Sequence, residues 1–394
     1  MGAADAGPAM SRGLNRALVR VIAGQICLHA CMAGTRLAAP LLALREGYSE
    51  AAVGVLLALF ALTQVVLALP AGRYADRNGL KRPIMFCVVA AALGAGMAAA
   101  FPLFPVLCVS ALLTGGATGA ASIALQRHVG RAAESPTELK QVFSWLSIGP
   151  AISNFVGPFF AGVVIDHGGF RAAFLLMAFL PVFSWFFVRT VRELAPVVRP
   201  EGTHVAPAWH LLREPMFRRL LLVNWFLSSC WDVHTFVVPV IGHERGLSAS
   251  VIGTILGGFA VAAALIRVVI PAIAMHLKEW AVIAGAMAST ALLFAVYPFL
   301  HTALAMGSCS MLLGVALGTV QPMVMSTLHQ ITPEHRHGEA VALRVMAINA
   351  SSVAMPMLFG LAGTLVGIGG VFWFVGAVVG LGSRLAWGLR AAHH

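Results

Sequence analysis

Unbroken apolar runs of about 20 residues, each ended by a few turn residues, recur from one end of the chain to the other. They do not alternate with polar positions as a half-buried strand would, and their length suits a helix crossing roughly 30 Å of hydrocarbon. Read from break to break, the pattern predicts twelve helical spans. They begin near Arg16, Ser49, Pro83, Phe104, Gln141, Phe170, Arg218, Ser250, Trp280, Thr302, Gly338 and Gly370. Most connections are very short, which makes neighbouring spans antiparallel. The exception, Val191 to Met216, is polar and rich in proline, with Arg192, Glu193, Arg199, Glu201, His204, Arg213 and Glu214. The predicted organisation is a tail (1–15), a six-span half (16–190), a linker (191–216), a second half (217–388) and a short tail (389–394).

Composition turns this pattern into a fold class. Of the 394 residues, 59% are hydrophobic and 10% charged, against roughly 25% charged in a soluble domain. The solvent is therefore lipid, where each backbone polar group needs an internal partner, and an all-α integral membrane fold follows. The first run, Val19 to Leu44, is long enough to stay as a span rather than act as a cleaved leader. Of the 26 Lys and Arg residues, Arg45, Arg171 and Arg245 fall on one side and Arg36, Arg267 and Arg344 within spans. The other 20 gather on the opposite side, with both termini. By the positive-inside rule that side is cytoplasmic. The net charge of +11 is then a topology signal and an attraction to anionic lipid, not a nucleic-acid patch. The six cysteines (Cys27, Cys31, Cys87, Cys108, Cys230, Cys309) all lie in apolar runs and read as packing thiols.

An internal repeat supports two halves. "PLLALREGYSEAAVG" from Pro40 and "PVIGHERGLSASVIG" from Pro239 align at an offset of 199, matching Pro40 with Pro239, Gly47 with Gly246, Ser49 with Ser248 and Gly54 with Gly253. Proline is expected to end each helix, glycine to make the turn and serine to cap the next helix.

The short turn "GRYADRNGLKRP" concentrates charge between spans two and three. Its pattern, Gly72-x3-Asp76-Arg77-x-Gly79-x-Lys81-Arg82, resembles the signature loop of the major facilitator superfamily. "GPAISNFVGPFFAG" in span five, with Gly149, Gly157, Pro158 and Gly162, resembles the glycine-proline motif of the superfamily's drug:proton antiporter branch. The resemblance implies two six-helix pseudo-repeat halves, no cofactor beyond a proton gradient, a small-molecule substrate, a monomer and a place in the cell inner membrane. It also implies that the charged loop latches the halves and that the span-five motif limits leak. A plain positive-inside loop and plain helix packing are the alternatives. Asp76 is suited to accept from N–H groups at a nearby helix start, and the basic residues to meet a carboxylate or lipid phosphates. Gly253, Gly257 and Gly258 of span eight offer a surface for the span-five glycines. Two departures stand out. Ala111 and Leu112 occupy the place of the branch's span-four arginine, with Gln126 and Arg127 coming later. Met275 stands opposite Asp76 in the second half.

Ionisable groups within spans are functional candidates. Among fifteen acidic residues, Asp232 alone lies well inside a span, on a broad face with Asn224 and Trp225, next to Trp231. In span one, His29 and Arg36 share a face with Gln25 and Met32. Arg36 and Asp232 are expected to project into a central cavity and pair, either as a proton-linked switch or as a fixed lock. Gln321 and Asn349 are further cavity candidates. Arg267 and Arg344 read as snorkelling toward span ends, and His329, His335 and His337 as solvated loop residues without metal geometry. No nucleotide loop and no converging catalytic set appear, so ATP-driven transport and an enzyme are disfavoured. The reading is a proton-coupled secondary transporter exporting small amphipathic molecules by alternating access. Symport of an organic anion is the rival, favoured by Arg36 and the missing span-four arginine.

Overall fold

The computed structural model describes residues 12–48, 50–194, 207–247 and 249–393, and among these it is built of helices without a strand. In order they are α1 (Arg12–Arg45), α2 (Glu50–Asn78), α3 (Lys81–Ala100), α4 (Phe104–Ala132), α5 (Pro136–Leu146) and α6 (Ile148–Val188). After the linker come α7 (Pro215–Glu244), α8 (Ala249–Ile273), α9 (Glu279–Val296), α10 (Ala303–Gly318), α11 (Val320–Ile331) and α12 (His337–Trp387). Nine stretches among the described residues are long and apolar enough to cross a membrane. At 1.5 Å per residue the 41 residues of α6 would reach about 60 Å, twice the hydrocarbon thickness. The break comes at Gly169, whose φ of 76° only glycine adopts easily. The 51 residues of α12 likewise exceed one crossing. The fifth span is thus α5 with the first part of α6, and the tenth is α10 with α11, each interrupted at one residue, Ser147 and Thr319.

The helices sort into two bundles. α1 packs on α4 and α6, and α4 also takes α2 and α3; in the second bundle α8 packs on α10, and α12 on α7 and α9. The repeated turn recurs in three dimensions. The N–H groups of Glu46 and Tyr48 donate to Leu42 and Ala43, and those of Arg245 and Leu247 to Ile241 and Gly242, all at 2.9–3.0 Å. Gly47 and Gly246 both take the left-handed conformation, φ 83° and 71°, which closes the same C-terminal cap twice. The expectation that proline ends these helices fails. Pro40 lies inside α1, and α7 runs past Pro239 to Glu244. Proline removes one N–H donor, a loss that a packed membrane helix accommodates while the next turn re-forms its bonds. The proposed caps Ser49 and Ser248 and linker residues 195–206 lie outside the described residues, as do the surroundings of Gly54 and Gly253.

Candidate substrate cavity and the clasps at the basic end

The charged turn occupies the end of α2 and the start of α3. Gly72 and Gly338, at the start of α12, approach so closely that a Cβ on either would run into the other's backbone. This contact brings the Asp76 carboxylate onto the first turn of α12, where it accepts from the N–H groups of Gly338 (3.0 Å) and Glu339 (3.3 Å). Four backbone donors are unmatched at a helix start and carry partial positive charge, so a carboxylate there is well placed. Arg127 of α4 closes the group, its Nε 2.5 Å from Asp76 and its terminal nitrogen bonded to the Asp76 carbonyl. Both side chains of that pair are almost fully buried. Arg73 and Arg336 bind the two oxygens of Glu339 at 2.9 and 2.8 Å. Gly79 takes φ 73°, and beside it Glu193 accepts from the backbone N–H groups of Leu80 and Lys81, capping α3. Arg77 and Arg82 are exposed at this end, with Lys81 half-buried.

A counterpart joins the other pair of elements. Lys140 of α5 donates to the Leu277 carbonyl at 2.7 Å and stands 3.7 Å from Glu279 at the start of α9. Gln141 donates to Pro271 of α8 at 3.0 Å, and Ser144 to the Arg267 carbonyl. Glu279 also accepts from Ser326 and Gln330 of α11 at 2.9 and 3.0 Å. The carboxylate missing opposite Asp76 is therefore supplied four residues after Met275, at the start of α9. These contacts between bundles lie at the basic end.

Between the bundles lies a cavity of about 410 Å³, lined among others by Asn154 of α6, Asn224 and Trp231 of α7, Arg267 of α8, Gln321 of α11 and Arg344 of α12. Trp231 meets Phe259 edge-on at 4.5 Å and lies under the Arg267 guanidinium, 5.8 Å from its ring centre. Arg267 donates to the carbonyls of Ser147 (3.1 Å) and Gly318 (3.2 Å). Both carbonyls sit at helix interruptions, where an acceptor is released from its helical bond. Arg344 donates through Nε to the Asn224 side-chain oxygen at 3.2 Å. Both arginines are buried, so neither snorkels. Each has turned inward because the helix breaks and Asn224 offer acceptors that lipid does not.

Of the residues expected at a cavity, Asn224, Trp231 and Gln321 line it. Asn349 instead donates to Val345 on its own helix at 2.9 Å. Asp232 receives the Ser352 hydroxyl of α12 at 3.3–3.4 Å, and no ion pair joins it to Arg36 among the described residues. Arg36 is exposed. His29 stands beside Asn154. The span-five glycines pack within their own bundle rather than on span eight. A Cβ on Gly149 would meet Gln25, and one on Gly157 the Ala30 carbonyl, both of α1, while Gly162 and Gly257 have open space. Pro158 lies within α6. His329 and His337 are buried, not solvated, with rings 4.4 Å apart. Lys140, Glu279 and Glu339 are absent from the expected site residues; their signal in the sequence is an acid or base near a helix start beside a charged loop.

Two helical bundles in lipid, a polar cavity between them and clasps at one end define a membrane transporter. The chain belongs to the Major Facilitator Superfamily, whose sequence model matches residues 21–328 and 220–393. It is 27% identical over 321 residues to the tetracycline resistance protein, class B, of Escherichia coli, covering 78% of this chain and 77% of that one. Among solved structures it is similar to the human organic anion transporter MFSD10 (TM-score 0.79, 16% identity, 95% and 99% of the two chains). FucP in the outward conformation is also similar (0.77, 13%, 95% and 99%). The protein is a multi-pass membrane transporter and not an enzyme.

Proposed function

We propose that the protein is a proton-coupled exporter of small amphipathic organic molecules, working by alternating access from the cell inner membrane. The basic end faces the cytoplasm, following the distribution of Lys and Arg. The observation that carries alternating access is the polar cavity between two bundles whose ion pairs and hydrogen bonds to each other gather at one end. This arrangement is a state closed toward the cytoplasm. Breaking the clasps and closing the opposite end would present the same cavity inward. Export is supported by the relative that bears a resistance name, because a membrane carrier confers resistance by removing a compound from the cell. Proton coupling is assigned to Asp232, the one carboxylate deep in a span, held by Ser352 across the α7–α12 contact. Protonation would weaken that bond and loosen the contact.

The test uses everted vesicles with an acidified interior and a panel of amphipathic drugs and metabolites, with Asp232→Asn beside the wild type. Dissipation of the pH gradient by a compound in wild-type vesicles only is the expected outcome. Equal dissipation in both removes Asp232 from the coupling.

A further inference from the structure

The cavity wall carries two ionisable side chains, and both are arginines. A buried guanidinium ordinarily meets a carboxylate, since an unpaired charge out of water is costly. The first bundle follows this rule, with Arg127 on Asp76. Arg267 and Arg344 do not. Among the described residues neither has a carboxylate within ion-pair distance, and each is buried. Arg267 is held by two neutral carbonyls and Arg344 by one neutral amide oxygen. Those bonds fix the guanidinium planes but cancel neither charge.

We infer, on the reading that this cavity is the transport site, that the substrate is an organic acid whose anionic head is bound by Arg267 and Arg344. The arginine fork matches a carboxylate by two parallel hydrogen bonds, and its weak hydration makes the exchange of water for ligand favourable. The apolar body of the substrate lies against Trp231, Leu227 and Ile348, and Asn154 and Gln321 offer the remaining polar contacts. A cavity of about 410 Å³ holds a molecule of drug size. Arg267 also ties the interruptions of the fifth and tenth spans to the site, so an anion drawing on its guanidinium acts on elements of both bundles.

The experiment uses the full-length protein in lipid nanodiscs and three probes of one shape: 2-naphthoate, 2-naphthamide and 2-naphthylmethylammonium. Binding is measured by equilibrium dialysis against empty nanodiscs. The carboxylate should bind tighter than the amide and the amine by roughly tenfold or more, the worth of a charged hydrogen bond. Arg344→Gln should erase the preference, whereas Arg344→Lys should keep it with weaker binding. Should Arg344→Gln fail to elute as a monodisperse species, Ser228→Asp tests the same point, because a carboxylate in the wall should reverse the preference toward the amine. Equal binding of the three probes overturns the anion site, as does a preference that survives Arg344→Gln. Saturable binding of none also overturns it, because the inferred site should take a small aromatic carboxylate. Transport in proteoliposomes with Ala260→Trp, which fills the cavity, separates the two levels. If the amine or amide is carried and Ala260→Trp stops it, the transport site stands and the anion assignment falls. Transport indifferent to Ala260→Trp removes the cavity reading itself.

Discussion

Two single positions at the basic end show how little space separates the bundles. Gly72 and Gly338 leave no room for a methyl group, because the nearest atom a Cβ would meet is a backbone carbonyl oxygen on either side. Gly338→Ala should hold that end open. A cysteine placed at the buried Ser147 should then react several-fold faster with an impermeant maleimide added from that side, and an unchanged rate would contradict the contact. Arg127 is the second case. It and Asp76 are almost fully buried, and removing one partner of such a pair typically costs about 3–5 kcal/mol. Arg127→Gln should therefore lower the apparent melting temperature clearly, measured in detergent. Arg77→Gln, on an exposed residue, should leave it nearly unchanged.

Helix starts take part in both clasps. The first turn of α12 presents N–H groups to Asp76, Lys140 follows the first turn of α5, and α9 begins on Glu279. A charged side chain at such a place can act across the boundary between bundles without interrupting an apolar helix surface. In the second clasp, Glu279 keeps Ser326 and Gln330 when Lys140 is lost. Lys140→Gln should thus destabilise less than Glu279→Ala, and the double mutant should fall short of the sum, as for groups in one network. Additive shifts in melting temperature would show the two side chains to be independent.

At the scale of the molecule, alternating access as proposed requires the clasps to open while the cavity stays in place. Joining Arg73→Cys to Glu339→Cys with a short bismaleimide should abolish transport in proteoliposomes while leaving probe binding at the cavity in place. Continued transport would mean that this end need not part. The distribution of charge suits that proposal: the ion pairs between bundles lie at the basic end, and the cavity wall keeps two arginines.

The sequence by itself determined the class of fold. Twenty-residue apolar runs, the scarcity of charge and the segregation of basic residues are local or additive properties, and the bilayer turns them directly into spans. The turns at Gly47 and Gly246 were legible for the same reason, since a left-handed cap needs only its own few residues. The charged loop was legible as a pattern, yet its partners were not. Gly338 and Glu339 lie some 260 residues away, and only packing of α2 on α12 brings them to Asp76. Tertiary structure likewise decided that Arg267 and Arg344 turn inward, that His329 and His337 are buried, and that Asp232 meets Ser352 rather than Arg36. For the two arginines the outcome depends on which acceptors the helix interruptions and Asn224 supply. Spacing along one helix does not encode where another helix breaks.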